Sequence, residues 1–324
     1  THQPETGATL EYLNMTFGVI RRPWFISSAF SRQKTGLARL SRFQFPIKDR
    51  DRLYTVAVTR SVPQSFAKAL SGLSAEEQGE VCVERAREQH EHYVSSLRSI
   101  LPTLTLPALD EHPDCTFVED AAVVIGNRAV VNRIGAESRQ GEVDAVKTAL
   151  IQFGLDVTDM REVSSDATCD GGDVLCPFSS SGLNFHGARH VFVGLSERTN
   201  EAGVEVLRQT FESANSGVDV IAVSGIDGAL HLKSLVTHVD GETLLAPKGP
   251  AGDKVLEAMN AEARGYTTIR LPDPAACNVI VVNGVVFAPT IKCQETKNIL
   301  EKEMNKKKIN LRYIDASEFA KKDG

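Results

Sequence analysis

A unit of strand, tight turn, strand, helix and strand recurs four times between Ala121 and Asp315. The central strand pairs are "AAVVIGNRAVV", "DVLC" with "HVFVG", "LKSLVTHVDGETLLAP" and "NVIVVNGVVFAP". Each is followed by a stretch with apolar residues at helical spacing and by a last short strand: Leu155–Met160, Val218–Val223, "YTTIRLP" and Leu311–Asp315. Units this short bury a core only against their neighbours, so a period near 50 residues predicts a propeller or array of α/β units. The fold should begin near Arg52, where Leu53–Thr59 alternates and is β-branched. Ser74 with Glu77 forms a capping-box signal. The helix expected after it has Val83, Ala86, His90, Val94, Leu97 and Leu101 on one face, so His90 is structural. Pro102 ends it, and "TLTLP" is the next strand.

The polar residues that open each unit carry the functional information. Glu119-Asp120 precede the first, Asp170-Gly171-Gly172-Asp173 the second, His231 the third and Asn278 the fourth. The steps are 50 residues from Asp120 to Asp170, 61 to His231 and 47 to Asn278. In a radial array equivalent ends meet at the axis, so Glu119, Asp120, Asp170 and His231 are expected at one site. One more period puts a further head near position 328. A strand following it is expected beside Leu53–Thr59.

Composition narrows the function. The chain of 324 residues has a net charge of −6, which argues against nucleic acid as a partner. No apolar run reaches the roughly 18–20 residues that span a bilayer. Six cysteines without a C-x-x-C pair give neither a zinc ribbon nor a disulfide scaffold, and fit reduced thiols in an intracellular, cytoplasmic protein. Residues 1–50 hold eight Lys/Arg and three Asp/Glu, leaving −11 for the remainder. We read 1–51 as a disordered basic extension with the composition of an organelle (mitochondrial) transit peptide, and 52–324 as one catalytic-type domain.

Adjacent carboxylates before an apolar strand, as at Glu119-Asp120, need a cationic partner. A guanidinium, whose planar N–H donors match carboxylates two at a time, fits them. A solvated acid pair or an internal arginine is the structural alternative. "CDGGDVL" permits close backbone approach but also suits an ordinary acidic turn. His231, with Asp170 to orient it, is a candidate general acid/base.

"DCTFVEDAAVV", "SRQGE", "TCDGGDVL", "VGLSERTN", "ALHLKS" and "LPDPAACN" follow one another in an order that resembles the dimethylarginine dimethylaminohydrolases of the pentein, or guanidino-group modifying, superfamily. The resemblance runs from Leu53 to Gly324. It implies a five-bladed α/β propeller and hydrolysis of methylated arginine to citrulline and a methylamine, through a cysteine thiolate, with no metal or cofactor. Glu119 and Asp120 would hold the guanidinium with Asp114 nearby. Arg139 and Arg198 would hold the carboxylate, Asp170 would orient His231, and Leu70 would belong to a lid. The implied partner is the small molecule alone, bound by a monomer or homodimer. The family's cysteine follows an aspartate-glycine pair like Asp323-Gly324, so it is expected just past that pair, in the last, truncated unit. Chain 1–324 by itself is then expected to be inactive. Cys277 heads the wrong unit to replace it. An arginine or agmatine deiminase and a non-enzymatic pseudoenzyme that binds substrate or partners are the alternatives. The two arginines favour a substrate with a carboxylate over agmatine.

Overall fold

The computed structural model describes residues 18–20, 54–178, 190–212, 217–226 and 228–322. Its strands form five three-stranded sheets, each with one antiparallel and one parallel pairing. In the second to fifth blades these are the four repeats: Ala122–Ile125 pairs antiparallel with Arg128–Val131, which pairs parallel with Asp156–Asp159. Val174–Leu175, His190–Gly194 and Asp219–Val223 follow the same plan. So do Thr237–His238, Thr243–Pro247 and Thr267–Leu271, and Ile280–Val282, Val285–Pro289 and Asn310–Ile314. The parallel step spans a helix in each case, as a parallel crossover requires.

Central strands read as unbroken apolar runs because both faces are covered. All five residues of His190–Gly194, of Thr243–Pro247 and of Val285–Pro289 are buried. Tight turns between first and second strands use the left-handed region, at Gly126 (φ 65°) and at Asn283-Gly284 (φ 47° and 80°).

Ring closure follows from the apolar clusters. Val58 and Leu106 of the first blade pack with Val131 and Val146 of the second. Val123 and Val130 pack with Val191 and Leu207, and Phe192 and Val223 with Leu244 and Val255. Leu245 and Leu271 pack with Val286 and Leu300. The fifth blade then returns to the first, with Val282, Phe287 and Ile314 against Ala57, Tyr93 and Leu97. Five such sheets closed in this way are the five-bladed α/β propeller that the family resemblance implies, and fit the array that the repeat predicts.

Three local readings change, the last because the edge of Val56–Arg60 expected to take a C-terminal strand is filled by a strand from the assigned extension. The capping box of Ser74 and Glu77 starts a separate helical turn, Ala75–Gln78, which Gly79 ends at φ 62°. The long helix, Val83–Arg98, begins independently after Cys82. Leu232–Leu235, read as strand, is a helical turn capped by His231. Val56–Arg60 pairs parallel with Thr103–Leu106 and antiparallel with Gly18–Ile20, a short strand inside the stretch assigned to the extension. Residues 1–17, 21–53 and Asp323-Gly324 lie outside the described residues.

Candidate active site

Three heads of the ring meet as the period predicts. A 3-10 turn, Val118–Ala121, delivers Glu119 and Asp120 just before their strand. A second, Gly171–Asp173, follows Asp170. His231, itself extended, stands at the N-cap position of the helical turn Leu232–Leu235. Both glycines of "DGGD" are required by proximity. A Cβ on Gly172 would lie 2.5 Å from Nδ1 of His231, and one on Gly171 would strike the carbonyl of Glu119. The turn is therefore a packing surface for the other two heads.

Nε2 of His231 lies 3.2 Å from Oδ2 of Asp170. Oδ1 of the same carboxylate accepts the Gly135 N–H at 2.7 Å, which fixes its plane. His231 is 1% exposed. Burial would lower its pKa, but the Asp170 hydrogen bond and the nearby Asp173 and Asp120 charges raise it to about 9. The imidazole is thus a cation at neutral pH. Asp173, pushed upward by burial, accepts from Ser196, Thr199 and the Leu232 N–H. It anchors the turn that carries His231.

Asp120 accepts the Gly172 N–H at 2.9 Å and Nη1 of Arg139 at 2.9 Å. Burial alone would raise its pKa; Arg139 and His231 hold it below the usual carboxylate range. Arg139 also donates to Glu142 and to the Phe117 carbonyl, so each of its guanidinium nitrogens has a protein partner. Burial raises Glu142 to about 7 against that pairing. Arg198 is partly exposed, with Nη1 3.8 Å from Asp170 Oδ2. Oε1 of Glu119 is ion-paired with Lys233. Burial lifts Glu119 to about 7, with Lys233 opposing. Asp114 accepts the Leu70 N–H at 2.9 Å, and its charge reaches Glu142.

Asp120, Asp170, His231, Arg139 and Arg198 are therefore assembled, with Glu119 against Lys233 and with Asp114 and Leu70 paired at one side. Sequence reasoning missed Lys233, Glu142, Asp173 and Arg60. The first three stand within the motifs, two residues after His231, at the end of "SRQGE" and at the second acid of "DGGD". Arg60 gave no signal; it is 1% exposed and donates to the Glu142 carbonyl at 3.0 Å.

Donor atoms of Asp120, Asp170 and His231 lie within 4.8 Å of one another, close enough to share a metal ion. A metal there would compete with Arg139 and with the proton on His231, so the geometry suits an organic cation better. Past the Glu119–Lys233 pair lies a cavity of about 120 Å³ at the axis, bordered by Tyr54, Cys176, His238, Asn278 and Val279. Burial and the Asp173, Asp170 and Asp120 charges push the Cys169 thiol far up, which unfits it as a nucleophile. Cys277 is buried and likewise pushed up by burial.

The family model of arginine deiminase matches residues 64–317. An N(G),N(G)-dimethylarginine dimethylaminohydrolase of Streptomyces coelicolor is 30% identical over 240 residues, 74% of this chain and 82% of that protein. The human putative hydrolase DDAH2 is 33% identical over 229 residues, 69% of this chain and 73% of its own. Among solved structures, a Pseudomonas aeruginosa DDAH mutant complexed with citrulline superposes with a TM-score of 0.68 at 24% identity, covering 83% of this chain and 95% of that one. In the described residues no helix is long and apolar enough to cross a membrane. The chain belongs to the arginine deiminase family, as a dimethylarginine dimethylaminohydrolase-like member of the pentein superfamily.

Proposed function

We propose that the protein hydrolyses free methylated arginine, dimethylarginine in particular, to citrulline and a methylamine. The observation that carries this reading is the buried His231, hydrogen-bonded to Asp170 at 3.2 Å with the Asp120 carboxylate grouped beside them within 4.8 Å. A substrate guanidinium seated there meets anionic walls from Asp120 and Asp170, and from Glu119 through the oxygen that Lys233 leaves open. The partly exposed Arg198, beside Asp170, is the arginine we place against a substrate carboxylate. Arg139, with its nitrogens engaged, acts by fixing Asp120 rather than by touching the ligand. Asp114 and Leu70 border the amino-acid end.

The reaction runs through a covalent intermediate. A cysteine thiolate attacks the guanidinium carbon, the C–N bond to the methylated nitrogen breaks, and His231 gives its proton to the departing amine. The neutral imidazole then takes a proton from water, which attacks the thiouronium carbon. Citrulline leaves and the thiolate returns. We assign the nucleophile to a cysteine at the ring's remaining head, after Asp323-Gly324, because the thiols beside the described heads are suppressed by burial. Six sparse thiols suit a reducing compartment.

The test is product analysis with dimethylarginine, arginine and agmatine, on the chain 1–324 and on a chain carried through the remaining head. Citrulline plus a methylamine from the extended chain alone supports the reading. Citrulline with ammonia from arginine, and none from dimethylarginine, would make it a deiminase. Turnover by 1–324 would remove the assigned cysteine from the mechanism.

A further inference from the structure

The segment between the first blade's central strand and its helix is weakly built. It contains the 3-10 turn Gln64–Lys68 and the helical turn Ala75–Gln78, and among the described residues its buried apolar side chains, Val62, Pro63, Phe66 and Ala69, all lie in its first half. Segments with so little apolar burial open locally at low free energy. This one borders the candidate site through the Leu70 N–H on Asp114.

It is held instead by residues from the other end of the chain. In the helix that follows, Gln89 bonds both the Ser317 hydroxyl and the Glu318 N–H, which fixes the C-terminal stretch against the blade. Glu318 accepts the Cys82 N–H at 2.9 Å. The Lys321 carbonyl accepts from Ser71 Oγ at 3.0 Å and from Gln78 Nε2 at 2.8 Å. Phe319 packs on Phe66 and Phe117 with ring centroids 5.1 and 6.2 Å apart. Lys322 completes the set: its ammonium, on a side chain 6% exposed, donates to the carbonyls of Ala67 at 2.7 Å and Ala69 at 3.2 Å. Carbonyls at the end of a helical turn lack partners within it and form its negative end. A buried ammonium needs such acceptors.

We propose that Lys322 is a positioning residue that fastens the base of the 63–82 segment, immediately before Leu70, to the C-terminal stretch Glu318–Lys322, so that the two move as one body. The half of this inference that concerns catalysis rests on the function proposed above: the seating of the substrate under Leu70 is tied to the position of that stretch.

The coupling is read first without activity. In the full-length protein, Lys322→Met removes the donor and keeps the stem. It is expected to speed amide hydrogen exchange of residues 67–73 about tenfold or more, with the third and fourth blades unchanged. Lys322→Arg should restore protection. Unchanged exchange at 67–73, or equal acceleration in every blade, would overturn the proposal. Should Lys322→Met fail to fold, Ser71→Ala removes one bond of the same set and should give a smaller acceleration confined to the same amides; none would overturn it. Kinetics follow: coupled movement predicts that Lys322→Met lowers kcat as well as raising KM, and that Lys322→Arg recovers both. A rise in KM alone would confine Lys322 to the segment's base and sink the coupling. If no variant, wild type included, turns over a guanidino compound while the exchange pattern holds, the functional reading fails and the mechanical one stands.

Discussion

Asp170 and His231, 61 residues apart in the chain, meet with Oδ2 and Nε2 at 3.2 Å. The Gly135 N–H on the other carboxylate oxygen prevents the acid from turning away. In the mechanism proposed above, this is the relationship that would let His231 act as an acid before it acts as a base.

Its pH consequence has a definite sign. The folded protein binds a proton at His231 with a pKa of about 9, against 6.5 for an ordinary histidine. The stability this confers is complete below about pH 6.5 and is lost as pH rises through 9. Urea denaturation should show wild type losing up to about 3 kcal/mol over that window, a loss absent in His231→Gln. In Asp170→Asn, the His231 ring signals in NMR titration should move to a clearly lower midpoint. An unmoved midpoint would mean that Asp170 is not what holds the proton.

Gly172→Ala should leave the ring folded and remove its chemistry. A methyl group 2.5 Å from Nδ1 of His231 cannot be accommodated unless the imidazole shifts. A displacement near 1 Å costs catalysis about a hundredfold, so kcat should fall by that order with little change in melting temperature. Full activity in this variant would show that the imidazole is free to relocate.

Arg139→Met tests whether that guanidinium is structural. It would leave Asp120 and Glu142 buried without their cation, and breaking such a buried pair costs about 3–5 kcal/mol. Glu142, already lifted to about 7, should then take up a proton and soften the loss below neutrality. Denaturation midpoints at pH 6 and pH 8 measure both effects. A surface-like loss, within about 0.5 kcal/mol, would return Arg139 to the role of carboxylate ligand.

Lys233→Met should act on Glu119. Without its ion pair, Glu119 is left to burial, which already lifts it to about 7, so it becomes neutral at physiological pH. Affinity for the cationic guanidinium should fall, read as a higher KM that recovers above pH 8. A KM indifferent to pH would place Glu119 outside the binding wall.

Much of this was legible because each repeat is locally complete. The turn at Gly126 and Asn127, the continuous run of Val285–Pro289 and the 50-residue step to Asp170 mark the blades and their heads without any contact being known. What stayed hidden depends on distance in space. The Ser74–Glu77 box has perfect local chemistry, yet Gly79 detaches its turn from the helix behind it. Arg139 read as a ligand because its motif lies near the site. Only the arrival of Glu142 and Asp120 from two sides shows it to be enclosed. Lys233 looked like an ordinary strand residue until Glu119 of another blade came to face it.

Closure has a consequence for how this molecule comes apart. Each apolar cluster between neighbouring blades draws side chains from both of them, and the fifth returns to the first. A blade cannot be excised, duplicated or melted without stripping the flanks of two others. Open solenoids can fray from a free end, but a closed circle offers no end from which to begin. Thermal denaturation of residues 54–322 should accordingly be a single cooperative step, and inherited length changes should collect in the rim loops, where they leave the number of blades at five.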